Sequence, residues 1–297
     1  MPAPSTAERA LREQIMHALA ERAARNGGVV SRAELSALRV GGQDRRLIDQ
    51  SRGIWNPSWL SATLSIVSSP DGPYHDTEDE GGLLRYDYRV GTARGDNTKL
   101  RAALELGVPL ILLRKIATGV YVPVFPVYVV DDDVANRQFV VALDESLRFL
   151  SDPMHPTDDE RRYATRVVRT RLHQPEFRAK VVRAYASRCT ICALRHAEVL
   201  DAAHIVRDAD DWGLPVVPNG LSLCKIHHAA YDANLMGVTP DYAIRVNDDL
   251  LHEADGPMLK HGLQEMHGRF LLLPPRAADR PDPDRLAVRF DQFTAAG

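Results

Sequence analysis

Two short pairs of residues dominate the chemistry this 297-residue chain could perform. Cys189 and Cys192 form a C-x-x-C, and Cys224 and His227 form a C-x-x-H. Each pair places two soft ligands at the spacing by which a tight turn grips one ion. Together they supply the four ligands of a tetrahedral structural Zn²⁺ site. The gap of roughly thirty residues between the pairs is longer than in common zinc fingers. All three cysteines of the chain fall in these pairs, which favours a metal over buried thiols beside a surface histidine. Between the pairs lies His204, alone inside the small apolar run "LDAAHIV". Asn219-Gly220 follows, and then His228 directly after His227. A lone imidazole in such a run is either a packed core histidine or a group that takes a proton near neutral pH.

Composition limits what these residues can belong to. Hydrophobic content is 44% and charged content 26%, as in ordinary globular proteins. No apolar run approaches the roughly 18 residues of a membrane span. The opening "MPAPSTAERALREQ" has no apolar signal core, so a cytoplasmic protein is expected. In that reducing compartment an odd cysteine count reads as metal binding rather than a disulfide frame. The net charge is −3, so any nucleic-acid contact must come from a local basic face. Arg161, Arg162, Arg166, Arg169, Arg171, Arg178, Lys180, Arg183 and Arg188 crowd one stretch, with Glu176 the only acid among them. That stretch is either a phosphate-binding face or a solvated helix surface.

The elements that must position these groups fall into four parts. Residues 1–50 read as a helical unit. Leu11, Ile15 and Leu19 are at helical spacing, Ser5/Glu8 and Ser31/Glu34 resemble capping boxes, and "NGG" at 26–28 ends the first helix. This unit reads as a winged-helix-like DNA contact or a dimer arm. Residues 51–150 carry β-type runs ("ATLSIVSS", "LLRYDYRV", "VPLILLRKI", "VYVPVFPVYVV", "QFVVAL") with one inserted helix, opened by Asp96 and closed by Gly107. This predicts a curved sheet or barrel. Residues 151–162 are polar and Pro-bearing, a linker. Residues 163–297 begin with a long helix, Tyr163 to Tyr185, broken near Pro175, and then hold the metal-type region.

The run "RCTIC…LDAAHIV…PNGLSLCKIHHAAYD" resembles the HNH nuclease family, whose ββα-metal motif sits inside such a zinc knuckle. The resemblance covers roughly Pro175 to Gly237. It implies that His204 is the general base, that Asn219 braces the loop holding it, and that His228 ligates the catalytic ion. His227, about 100° round the helix, faces the zinc. Asp232, four residues after His228, shares its helix face as a further ligand. The family often carries a ligand just before the base histidine; here Ala203 stands there, and Asp201, on the same strand face by period two, is assigned instead. The implied ion is Mg²⁺ or Mn²⁺. The implied reaction is phosphodiester hydrolysis leaving a 5′-phosphate.

A second resemblance covers "SSPDGPYHDTEDEGGLLRYDYRVG" and "GDNTKLRAALELGVPLILLRK". It is to the SRA domain, a PUA-like barrel that flips a modified cytosine into a pocket. The resemblance implies stacking by Tyr74 and Tyr86 and an acceptor at Asp76. Thr77 departs from the pattern, because the family's base-reading Asp belongs there. The whole chain is thus expected to be α+β: a helical N-terminal segment, an SRA/PUA-like curved barrel, and a ββα-metal domain with a structural zinc knuckle. The expected activity is a metal-dependent DNA endonuclease of the modification-dependent restriction type. The expected partner is double-stranded DNA carrying a modified base, with no membrane and with a homodimer left open. A modified-DNA binding module with a non-catalytic zinc unit and an unspecific HNH nuclease are the alternatives.

Overall fold

A computed structural model describes residues 6–69, 77–78, 83–89, 95–150, 152–208, 210, 212–254 and 256–296. Contacts divide the chain into two compact units, Met1–Glu176 and Phe177–Gly297. Among the described residues, no helix is long and apolar enough to cross a membrane.

The first unit opens with α1 (Thr6–Arg25), β1 (Val30–Ser31), α2 (Arg32–Ser36) and a small hairpin, β2 (Arg39–Val40) with β3 (Gln43–Asp44). The Ser31/Glu34 capping box forms at α2, satisfying the amides of Ser31 and Glu34 at the helix start. Ser5 lies outside the described residues, and Glu8 instead pairs with Arg12. The sheet follows: β4 (Ile54–Trp55), β5 (Ser65–Ser68), β6 (Thr77–Glu78), β7 (Leu84–Asp87), then α3 (Asp96–Leu106), β8 (Leu110–Ala117), β9 (Val120–Asp133) and β10 (Gln138–Ala142). Its order is β4-β5-β8-β9-β10-β7-β6, with β1 also on β9. The long strand β9 changes partner along its length. It pairs with β8 through Val127 and with β10 from Tyr128 onward, so the sheet curls into a half-barrel.

Strand β8 shows why its sequence is an unbroken apolar run. Leu110 and Leu112 face a core shared with Leu100 and Ala103 of α3, while Ile111 and Leu113 face a second core shared with Ile15 and Leu19 of α1. A strand covered on both faces has no polar side to alternate with. Arg12 seals the α1 side. Fully buried, it donates its five N–H groups to Glu8 and to the carbonyls of Ala62, Thr63 and Pro109. The segment 6–50 is joined to the sheet at β9 through Val30↔Tyr121 and Ser31↔Val120.

The segment read as a linker is partly helical. Thr157 and Glu160 form a capping box, and α4 (Asp158–Val168) starts there. The long helix continues through a π-type turn, Arg169–His173, into α5 (Gln174–Ala184), without a break at Pro175. Proline has no N–H to donate, and the turn before it widens so that the Gln174 amide reaches the Arg169 carbonyl five residues back. The boundary between the two units falls within α5.

The second unit holds the antiparallel hairpin β11 (Leu200–His204) and β12 (Gly220–Cys224), then α6 (Lys225–Asp232). A second hairpin follows, β13 (Met236–Val238) with β14 (Ile244–Val246), and then α7 (Asp248–His252), α8 (Pro257–Gly262) and α9 (Pro283–Ala296). One core gathers Val181 of α5 and Tyr185 just past its end, Leu200 of β11, Leu221 and Leu223 of β12, and Ala230 and Tyr231 of α6. Two strands and a helix are thereby locked into a ββα unit around which the metal-type residues are arranged.

Candidate functional site

The cysteine pairs converge. Ligand atoms of Cys189, Cys192, Cys224 and His227 all lie within 4.8 Å of one another. The first pair sits in a tight turn after α5, where the Ala193 amide donates to the Cys189 carbonyl at 3.0 Å and the Cys189 amide to the Leu194 carbonyl at 2.9 Å. The second pair spans a helix start: Cys224 is the N-cap of α6 and His227 is in its first turn. The His227 ring is oriented from behind. Its Nε2 donates to the Gly262 carbonyl at 2.8 Å, which turns Nδ1 toward Cys224 Sγ at 3.1 Å and Cys189 Sγ at 3.6 Å. Burial opposes charge on this imidazole, but the flanking cysteine sulfurs outweigh it and hold its pKa up at about 10. The thiols push one another apart as well: contact with Cys189 drives Cys192 above the ordinary thiol range and draws Cys224 below it. Three sulfurs and one nitrogen crowding one point fit a soft or borderline cation such as Zn²⁺.

His204 ends β11 opposite Gly220. Its ring stacks on Phe177 of α5, with centroids 4.1 Å apart and planes at 19°. Gly220 makes this approach possible. A Cβ there would meet Val181 Cγ2 at 2.5 Å and Phe177 Cζ at 2.9 Å. Asn219, fully buried, ties down the chain beyond His204. Its Oδ1 accepts from the Val206 amide at 2.9 Å, and its Nδ2 donates to the carbonyls of Val206 at 2.9 Å and Leu214 at 3.0 Å. One side chain thus fixes both ends of the connection that leaves the strand of His204.

His228 points away from the cysteine cluster and lies between two carboxylates. Its Nδ1 is 3.8 Å from Asp201 Oδ2, and its Nε2 is 3.3 Å from Asp232 Oδ2. Facing Asp201 raises the imidazole's pKa; burial opposes this and Asp232 adds to it. Asp201 is crowded by cations: Lys225 Nζ stands 2.6 Å from Oδ2, and Arg178 Nε stands 3.4 Å from Oδ1. Burial works against its charge, yet His228 and Lys225 hold the carboxyl well below the usual range.

The structure therefore brings Asp201, His228 and Asp232 together, but in a line. An imidazole gives a metal one nitrogen, and bonds of about 2.0–2.2 Å place two donors of one ion no more than about 4.4 Å apart. Asp201 Oδ2 and His228 Nδ1 satisfy that limit. Asp232 Oδ2 and His228 Nε2 satisfy it as well, 3.3 Å apart on the other edge of the ring, so each nitrogen of His228 has one carboxylate with which it could hold an ion. A carboxylate oxygen and an imidazole nitrogen fit a hard or borderline divalent ion and leave positions for water and phosphate.

Phe177, Arg178, Gly220 and Lys225 belong to the site and escape sequence reasoning as separate roles. Arg178 was visible only as one of a basic run. Here its Nη2 donates to the carbonyls of Ala197 and Leu200 at 3.0 and 2.7 Å. Other members of the run are also committed within the protein: Arg171 to Asp144 and Arg162 to Asp159. In the first unit, Tyr74 and Asp76 lie outside the described residues. Tyr86 is only 3% exposed, packs in the half-barrel core and donates to the Gly53 carbonyl at 3.2 Å. A stacking role needs an uncovered ring face, and this ring is covered.

Comparison with known proteins adds a segment-level match and two distant likenesses. No curated protein matches the chain. Among solved structures, a modification-dependent restriction endonuclease, TagI, is similar over 82% of this chain and 86% of that one, at 17% identity and a TM-score of 0.30. The Type IV phosphorothioation-dependent restriction endonuclease ScoMcrA is similar over 74% of this chain and 51% of that one, at 15% identity and a TM-score of 0.24. TM-scores this low do not establish a shared fold. Residues 189–239 match the HNH endonuclease family model, a segment that runs from the first knuckle cysteine past β13 and holds His204, Asn219 and His228, so the second unit carries an HNH endonuclease domain.

Proposed function

We propose that the chain is a metal-dependent endonuclease that hydrolyses phosphodiester bonds in duplex DNA carrying a modified base, as restriction of foreign DNA requires. The observation that carries the nuclease part is the HNH match over residues 189–239, inside which His204 stands on a strand clamped by Asn219. His204 takes a proton from the attacking water while a P–O bond forms. The P–O3′ bond then breaks and the leaving oxygen takes a proton from solvent water, giving a 5′-phosphate and a 3′-hydroxyl. Stacking on Phe177 and the Asn219 clamp keep the imidazole in one orientation through that step. Asp201 and His228 would hold a Mg²⁺ or Mn²⁺ ion, which stabilises charge on the phosphate and on the leaving oxygen. The Cys₃His cluster would hold Zn²⁺ as a structural ion. The preference for modified DNA rests on the sequence pattern of residues 68–115 alone.

Burial of Tyr86 favours a second reading, an unspecific HNH nuclease whose sheet domain serves another end. The test is cleavage of matched plasmids, unmodified or bearing 5-methylcytosine, 5-hydroxymethylcytosine, N6-methyladenine or phosphorothioate, with Mg²⁺ or Mn²⁺. Cleavage of only one modified form supports the proposal. Equal cleavage of all of them leaves the unspecific nuclease, and no cleavage of any removes the enzyme reading.

A further inference from the structure

The Asp201 carboxylate is divided between two sets of partners. Oδ1 is held by fixed groups: the Ala202 amide at 3.0 Å and Arg178 Nε at 3.4 Å. Arg178 is itself anchored on two backbone carbonyls. Oδ2 faces Lys225 Nζ at 2.6 Å and His228 Nδ1 at 3.8 Å. Lys225 is the first residue of α6, and its side chain is 61% exposed on a flexible four-carbon stem. Its ammonium thus sits on the same oxygen that, with His228 Nδ1, makes the candidate divalent-ion site.

We infer that Lys225 is an exchangeable occupant of that site: its ammonium holds Asp201 Oδ2 until a divalent cation takes the oxygen, and it then engages a phosphate of the bound DNA. This rests on the nuclease reading above. Two cations cannot share one carboxylate oxygen at these distances without strong repulsion, so ion binding displaces the ammonium. Arg178 stays, because its carbonyl anchors are independent of Oδ2. With the ion, Arg178 and Lys225 together, the pocket is left with excess positive charge. The anion that reaches it during cleavage is the DNA phosphate, which a lysine binds as a mobile point charge.

The experiment uses the full-length, zinc-loaded protein and titrates Mn²⁺ by electron paramagnetic resonance. Lys225→Met is expected to tighten Mn²⁺ binding about five-fold, the scale of a partly exposed charge interaction. Lys225→Arg, which keeps the charge, should stay near wild type. Duplex binding is then measured against salt in a His204→Ala background, where cleavage is silenced. With Mn²⁺ present, Lys225→Met should lower the slope of log K against log salt by about 0.9, one phosphate contact. Without Mn²⁺ the slope should not change. Unchanged or weaker Mn²⁺ binding in Lys225→Met overturns the inference. So does a slope loss that is the same with and without Mn²⁺. Asp201→Asn separates the two readings. If it abolishes Mn²⁺ binding while Lys225→Met leaves it unchanged, only the exchange fails. If it too leaves Mn²⁺ binding unchanged, the divalent site fails as well.

Discussion

The cysteine cluster and the Asp201–His228 pair depend on neighbouring residues of one helix, His227 and His228, yet they differ in nearly every physical respect. The cluster has four donors within 4.8 Å of one another, and three of its four residues are buried. Its histidine is 3% exposed and locked from behind by Gly262. The carboxylate–histidine pair has two donors 3.8 Å apart, an imidazole side chain 23% exposed and a lysine side chain 61% exposed. A closed set of soft ligands holds an ion for structure, whereas an open pair of harder ligands leaves room for substrate. The roughly 100° that separates consecutive helix positions is what lets adjacent histidines serve both ends.

Breaking the closed site should have the largest effect. Cys224→Ala removes a ligand at the junction of β12 and α6. Structural zinc contributes on the order of 10 kcal/mol or more to folding of small zinc modules. We expect loss of one bound zinc and cooperative unfolding of residues 177–297, read by metal analysis and near-UV circular dichroism. A folded, zinc-free wild type would contradict this.

Removing the proposed base should leave the closed site intact. His204→Ala is expected to lower cleavage by about 10²–10⁴-fold, the usual range for a positioned proton acceptor. Zinc content and DNA affinity should hold. Cleavage within a few-fold of wild type would make His204 a packing residue against Phe177.

Asn219→Ala loosens the chain that leaves the strand of His204. It strands the Val206 amide and carbonyl in a buried setting and releases the carbonyl of Leu214, a residue that is 57% exposed. Unsatisfied buried groups cost about 1–3 kcal/mol each, partly recovered by relaxation, so a loss of about 2–4 kcal/mol is expected in denaturant unfolding. Cleavage should fall with zinc retained. Unchanged stability together with lost cleavage would instead place Asn219 at the substrate.

The smallest effect belongs to the other unit. Tyr86→Phe deletes the hydroxyl shared between the Gly53 and Val67 carbonyls and keeps the ring, so a loss near 1 kcal/mol in the first unit is expected. Zinc content and cleavage of unmodified DNA should not move. A change in selectivity among modified duplexes would show that this hydroxyl reaches DNA and not only the core.

Much of the second unit was legible in residue order. Cysteine and histidine spacings report on a metal site directly, because ligand geometry demands close pairs at turns and helix starts, and Cys189 to His227 meet where the spacing implies. The strands and the inserted helix of the first unit were also legible, since β-branched runs and a Gly107 cap at φ 58° are local signals. Its internal pairing was not. β1 joins β9 across about ninety residues, and no local pattern encodes that partner. The helix start at Thr157 was not legible either, because Pro-bearing polarity hid a capping box.

Sequence by itself determined the donor types, their grouping on β11, β12 and α6, and the division between soft and hard ligand sets. Only tertiary structure decided how they face one another. Asp201 and Asp232 take opposite edges of His228 because the strand and the helix approach the ring from different sides. Lys225, 24 residues from Asp201 in the chain, comes to rest on its carboxylate. Phe177 lies on His204 because Gly220 leaves no Cβ in the way. These are contacts between elements, set by core packing, and a spacing rule holds no information about them.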